Sequence, residues 1–167
     1  MSSILLILNL LSIFKGINQN IIIMTESKNK PTTSFWVIGI VALIWNLMGV
    51  FAYLQEAYMT AEDLAALPIE EQALYENIPA WVTAAFALAV FGGALACILL
   101  LLRKKLATFV FIISFVSILA QMTYNLFMSK AMEVYGPGGM MMPVMVVVMG
   151  AFLVGYSKKM EAHGVIT

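Results

Sequence analysis

Residues 80–129 read AWVTAAFALAVFGGALACILLLL-RKK-LATFVFIISFVSILAQMTYNLFMS. Two runs free of Asp, Glu, Lys, Arg and His flank three consecutive cations, Arg103, Lys104 and Lys105. Each run matches the roughly 20 mainly apolar residues that a helix needs to cross a bilayer, whereas a spanning strand needs only about 9–11. Lipid offers no partner to a free backbone N–H or C=O, so such runs must close their hydrogen bonds internally, as helices do. A three-residue link leaves the second helix no course but to return beside the first. The stretch predicts a transmembrane helical hairpin.

Two more runs of the same kind lie on either side. Ser34–Leu54 reads SFWVIGIVALIWNLMGVFAYL, and residues 140–157 read MMMPVMVVVMGAFLVGYS. Trp36, Tyr53, Trp81 and Tyr156 fall near run ends, where amphipathic aromatics favour the membrane–water interface. The composition agrees: 62% of the 167 residues are hydrophobic, 11% are charged and mean hydropathy is +0.96. Soluble domains are about 45–50% apolar and about 25% charged. The expected fold is therefore all-α, an integral membrane four-helix antiparallel bundle over residues 34–157. Its spans lie near 34–54, 80–102, 106–129 and 140–157, with an N-terminal segment 1–33 and a tail 158–167.

Charge placement orients the chain. Lys15, Lys28 and Lys30 precede the first span, Arg103–Lys105 link spans two and three, and Lys158 and Lys159 follow span four. An even number of spans puts these eight of nine basic residues on one side, leaving Lys130 on the other. Short loops rich in Lys and Arg mark the cytoplasm, so both termini are expected inside. The opposite loop, residues 55–79, carries Glu56, Glu62, Asp63, Glu70, Glu71 and Glu76 and no cation. Thr60 with Asp63 forms a capping-box pattern and Pro68 can open a helix, so this loop predicts two short acidic helices over the outer mouth. Most of that acidity is expected to be solvated surface, screened by salt. Residues 1–23 form a separate question. Ile4–Phe14 is too short to span and lacks the marks of a signal peptide, and Met24 offers an alternative start. That segment reads either as an over-extended start or as a loose surface segment.

Small residues at helical spacing mark the packing faces. Span one carries Gly39, Ala42, Asn46, Gly49 and Tyr53 on one stripe, span two Ala85, Ala89, Gly93 and Cys97, and span four Ala151 and Gly155. Such stripes let backbones approach when lipid supplies no hydrophobic force between helices, and they predict a left-handed bundle. Span three carries Ser114, Ser117, Gln121 and Asn125 on one face. Asn46 and Gln121 lie deep in their spans, where an unpaired amide costs several kcal/mol. They are expected to bond each other, a nearby backbone or water. With Asn125, Trp45 and Tyr124 they form the candidate binding set for a neutral polar solute, since amides beside aromatic faces suit a sugar-like ligand. The competing role for these amides is interhelical hydrogen bonding. Trp45-Asn46-Leu47-Met48 also faintly echoes Tyr124-Asn125-Leu126-Phe127, although the two asparagines sit at different depths.

Other chemistry finds little support. Met141, Met145 and Met149, with Met140 and Met142 beside them, form a stripe whose thioethers could pass Cu(I). Gap filling is the commoner use of methionine. The single Cys97 cannot form an internal disulfide, His163 stands alone in the tail, and no Cys/His metal spacing is present. Gly136-Pro137-Gly138-Gly139 reads as a turn into span four; it lacks the lysine of a phosphate loop. The spans hold no ionisable residue of the kind that couples proton or sodium transport. No nucleophile–base set appears either, so no enzyme and no cofactor is expected. A net charge of zero gives no field for nucleic acid. The expected partners are the lipid bilayer and either a second copy or another membrane protein.

Five segments carry a family resemblance: Trp45-Asn46-Leu47-Met48-Gly49-Val50, Leu64-Ala65-Ala66-Leu67-Pro68, the stretch Ile78–Ala87, the stretch Phe91–Cys97, and Leu101-Leu102-Arg103-Lys104-Lys105-Leu106-Ala107. Over most of the chain beyond residue 34, the sequence resembles a family of small four-span bacterial inner-membrane proteins that carries the label "sugar transporter". The resemblance implies a bacterial inner-membrane location and carries over no catalytic or substrate residue. Two functions follow as expectations: a facilitative carrier, or carrier subunit, for a small neutral polar solute such as a sugar; or a structural, accessory protein that binds other membrane proteins. Four helices enclose little space, so a transport path is expected to require at least a dimer.

Overall fold

The computed structural model describes residues 10–18, 30–76, 78–129, 131–139 and 141–167. Every regular element among them is a helix. A short helix α1 covers residues 10–18, with Leu10, Leu11, Ile13, Phe14 and Ile17 exposed. Four helices are long and apolar enough to cross a membrane: α2 (Thr33–Ala57), α5 (Ala80–Leu101), α6 (Leu106–Phe127) and α8 (Met141–Ala162). At about 1.5 Å per residue a 22-residue helix spans about 33 Å, enough for a hydrocarbon core of about 30 Å. The protein is thus a four-span, all-α membrane bundle. Of the N-terminal readings, those on residues 1–9 and 19–29, including Lys28, lie outside the described residues.

α2 and α8 overrun their apolar runs by about a turn, whereas α5 and α6 stop one and two residues short of theirs. α2 continues through Glu56, and α8 continues through Lys158, Lys159 and Glu161. Polar side chains at these ends reach water while the backbone keeps its ladder. The bundle therefore has an acidic end, at Glu56, and a basic end, at Arg103–Lys105 and Lys158–Lys159.

Packing runs in the order α2, α5, α6, α8, with α5 and α6 central. The small-residue ridge of α5 is buried along its length: Ala85, Ala89, Gly93 and Cys97 are all inaccessible or nearly so. Against it lie Gly39, Ala42 and Gly49 of α2. A Cβ on Gly39 would sit 2.6 Å from Leu101 Cδ2, and one on Gly49 would sit 3.1 Å from Val90 Cγ1. Absence of those Cβ atoms is what lets α2 and α5 close. Ser114 of α6 adds an interhelical bond, its hydroxyl donating to the Ala89 carbonyl at 2.7 Å.

On α8 the outcome differs from the sequence expectation. Ala151 is exposed, and nothing lies within 4 Å of a Cβ placed on Gly155. The contact residue is Gly150, where a Cβ would meet Phe115 Cδ2 at 2.8 Å and Ile118 Cδ1 at 3.1 Å. Leu153 and Ser157 turn inward with it, and the Ser157 and Thr108 hydroxyls share a buried hydrogen bond of 2.8 Å. Lipid and helix surfaces are both apolar, so hydropathy alone could not say which side of α8 faces the protein.

The loop of the acidic end folds as its turn signals predict. α3 (Ala61–Ala65) carries a complete capping box: the Asp63 N–H donates to Thr60 Oγ1, and Asp63 Oδ2 accepts from Thr60 N–H at 3.1 Å. α4 (Ile69–Glu76) starts after Pro68, whose carbonyl accepts from Glu71 and Gln72. The expected turn before span four is instead a short helix, α7 (Ala131–Gly139), broken at Gly136. Gly136 has φ +62°, a backbone region that glycine enters without Cβ cost.

The basic end is closed by two matching helix stops. α5 ends with Arg103 at φ +60°, its N–H bonded to Leu100 O and that of Lys104 to Leu99 O, both at 2.9 Å. α8 ends with Gly164 at φ +67°, its N–H bonded to Glu161 O and that of Val165 to Met160 O, again at 2.9 Å. Both show the paired 5→2 and 6→1 bonds of a Schellman cap, and the second turns the tail back toward the bundle. Val165 and Ile166 are buried there, in one apolar cluster with Phe35, Cys97, Leu100, Phe111 and Leu153. The tail is thus an integral part of the core rather than a solvated extension.

Candidate functional site

The row order of the helices leaves a cleft. α5 and α6 form its back, while α2 and α8 flank it, and residues from all four helices line a chamber of about 280 Å³. Phe111 and Leu153 belong both to this chamber and to the cluster holding Ile166, so the packed tail floors it at the basic end. The wall is aliphatic and aromatic apart from Trp45, Asn46, Ser114 and Gln121.

Two of these polar groups are already engaged. The Asn46 amide nitrogen donates to Ala42 O at 2.8 Å and approaches Cys97 Sγ at 3.4 Å. Its oxygen rests against Gly93, where any Cβ would collide with it. The Ser114 hydroxyl is spent on Ala89. Asn46 therefore ties α2 to α5 while lining the chamber. Of the partners expected for Asn46, the amide takes the nearby backbone, because Ala42 O is one turn away on the same helix, and it adds the Cys97 thiol.

A second chamber of about 220 Å³ lies toward the acidic end. Its walls come from the end of α2, from α4, α5, α6, α7 and the start of α8, and they are more polar: Glu56, Tyr75, Gln121, Asn125, Ser129 and Tyr135. Gln121 lines both chambers. The five residues singled out from the sequence are thereby divided: Trp45 and Asn46 stand in the mid-bundle chamber, Tyr124 and Asn125 in the outer one, and Gln121 between them. Tyr124 is buried against Trp81, edge to face at 5.7 Å.

Sequence reasoning missed Glu56, Tyr75 and Tyr135 as wall residues. They sit on three separate elements, and only folding of α4 and α7 over the bundle brings them together. Tyr135 has its pKa pushed up to about 12, by lost solvation first and by the neighbouring Tyr75 and Glu71 second. It stays a neutral phenol throughout the physiological range. At α3, which lies apart from the chamber, hydrogen bonds from Thr60 hold the Asp63 carboxyl below its ordinary value.

The methionine stripe does not converge. Met141, Met142 and Met145 are all exposed, and of the stripe and its neighbours Met142 and Met149 line the mid-bundle chamber. Among the described residues no group of three His, Cys, Asp or Glu could hold a metal ion.

Fold and site together describe a multi-pass membrane protein with four helices long and apolar enough to span and a chamber between them. No protein-family model matches the chain, and no curated protein or solved structure is significantly similar to it.

Proposed function

We propose that this protein is a facilitative carrier, or the subunit of one, for a small solute taken up from the acidic end, in a bacterial inner membrane. The observation that carries the reading is the pair of chambers that share Gln121, the more polar one toward the acidic end and the other almost wholly apolar among the four long helices. The orientation is supported by Lys30, Arg103, Lys104, Lys105, Lys158 and Lys159 at one end, since cations of this kind favour the cytoplasm, with Glu56 then outside.

The walls modify the expected solute. A sugar presents many hydroxyls, each costly to bury without a partner. The mid-bundle chamber offers few, since Asn46 and Ser114 already donate within the protein. A sugar suits the outer chamber alone, and the inner one favours an apolar group. Purified protein in liposomes tests the reading through solute uptake and quenching of Trp45. If no sugar, alcohol or amine enters faster than in empty liposomes, and none alters Trp45 emission, the carrier reading fails.

A second reading, an accessory protein that packs against another membrane protein or a second copy, rests on the outward Ala151 and Gly155 face of α8. Gly155→Leu should abolish such an assembly and spare solute uptake. Crosslinking that is unchanged by Gly155→Leu would count against it.

A further inference from the structure

We propose that the two chambers together take one amphipathic amine, its apolar body in the mid-bundle chamber and its ammonium group beside Glu56. The inference rests on the carrier reading and names its substrate class. Each chamber alone falls below the usual ligand cleft of about 300–1,000 Å³, and Gln121 lines both, so a ligand that passes its side chain would occupy a volume within that range. A ligand that fills both must be apolar at one end and polar at the other, because the walls are. The inner volume suits a single chain or a small ring system and is too small for the paired acyl chains of a phospholipid.

The charge of the polar end follows from the outer walls. Among the described residues that line the two chambers, Glu56 is the carboxylate and none is Lys, Arg or His. It sits half-buried in the last turn of α2, a helix C-terminus, where the macrodipole also favours a cation. Among the described residues of these walls, an anionic head would meet a carboxylate and a negative helix end and no cation. An ammonium would meet both favourably, with Asn125 and the phenol oxygens of Tyr75 and Tyr135 lining the same chamber as acceptors. The acidic α3 and α4, with Glu62, Asp63, Glu70 and Glu71, add a field of the same sign at the mouth.

The test uses the full chain carrying Trp36→Phe and Trp81→Phe, so that Trp45 alone reports from the inner chamber, in nanodiscs of zwitterionic phosphatidylcholine. The probes are ω-bromodecylamine, ω-bromodecanol and ω-bromodecanoate, whose bromine quenches tryptophan at contact. The amine should quench saturably and bind about tenfold or more tighter than the alcohol, with the carboxylate weakest. Glu56→Gln should erase the preference for the amine and leave the alcohol within about twofold, while Glu56→Asp should keep the preference. Equal binding of amine and alcohol to the parent protein, or a preference that survives Glu56→Gln, overturns the amine assignment and leaves the carrier reading standing. Absence of saturable quenching by all three overturns both.

Discussion

The Nε of Arg103 donates to the backbone carbonyl of Val165 at 2.8 Å, across 62 residues of sequence. The neighbouring backbones reinforce this contact: Thr167 N–H donates to Arg103 O at 2.9 Å, and Lys105 N–H donates to Thr167 O at 3.2 Å. One residue thus serves two purposes. Arg103 reverses the chain between α5 and α6, and it fastens the last residues of α8's tail over the basic end of the bundle. Beneath the clasp, Ile166 is fully buried.

Substitutions at Arg103 should separate these purposes. A non-glycine residue in the left-handed region costs roughly 1 kcal/mol, which Arg103→Gly would recover while losing the guanidinium contact. Arg103→Ala keeps the strain and loses the contact, so it should be the less stable of the two. Thermal unfolding in detergent should rank them accordingly; an Ala variant more stable than the Gly variant would contradict the cap geometry.

Ile166→Ala should cost about 2–4 kcal/mol, the usual range for emptying a buried aliphatic site. Proteolysis of the tail should rise with it, because the clasp then covers a void. A loss below about 0.5 kcal/mol, the range of surface substitutions, would mean that the tail is not seated.

Gly93→Ala should destabilise the contact of α2 with α5, since the new Cβ collides with the Asn46 side-chain oxygen. Overpacking of this kind costs typically about 1–3 kcal/mol. Asn46→Ala removes the obstacle, so the double variant should be more stable than the sum of single effects implies. A double-mutant cycle in detergent measures that coupling, and simple additivity would exclude the contact.

The Thr108–Ser157 bond joins α6 to α8 in a dry setting. Interhelical hydrogen bonds of membrane proteins average about 0.6 kcal/mol in double-mutant cycles. Thr108→Val and Ser157→Ala, alone and combined, should return a coupling of that order. A coupling indistinguishable from zero would remove the bond from the account.

The capping box of α3 should titrate. Hydrogen bonds from Thr60 lower the Asp63 pKa beneath its ordinary 3.8. A depressed carboxyl stabilises the helix start above the unfolded value, and the contribution is lost as pH falls through the lowered one. The Asp63 carboxyl carbon, followed by NMR across that acid range, should titrate below 3.8 in the parent protein and move up in Thr60→Ala. No movement would show that Thr60 does not hold it.

Much of the fold was legible in the residues taken singly. The lengths of the uncharged runs determined four helices, because a bilayer requires the backbone to be satisfied internally and runs of about 20 residues suit helices rather than barrel strands. The Arg103–Lys105 link made the central pair a hairpin, and Thr60, Asp63 and Pro68 marked α3 and α4 through local hydrogen bonding. Gly93 and its ridge were visible because four-residue spacing fixes a common face. What the tertiary structure alone decided is which faces meet. Gly150 rather than Ala151 and Gly155 received α6, since apolar side chains are equally at home against lipid and against protein. Val165 and Ile166 carried no periodic signal, being only two residues, and their burial depends on a clasp formed with a turn 62 positions away. The chambers have the same origin: Glu56, Gln121 and Tyr135 lie on three helices, and only the packing of those helices brings them to one wall.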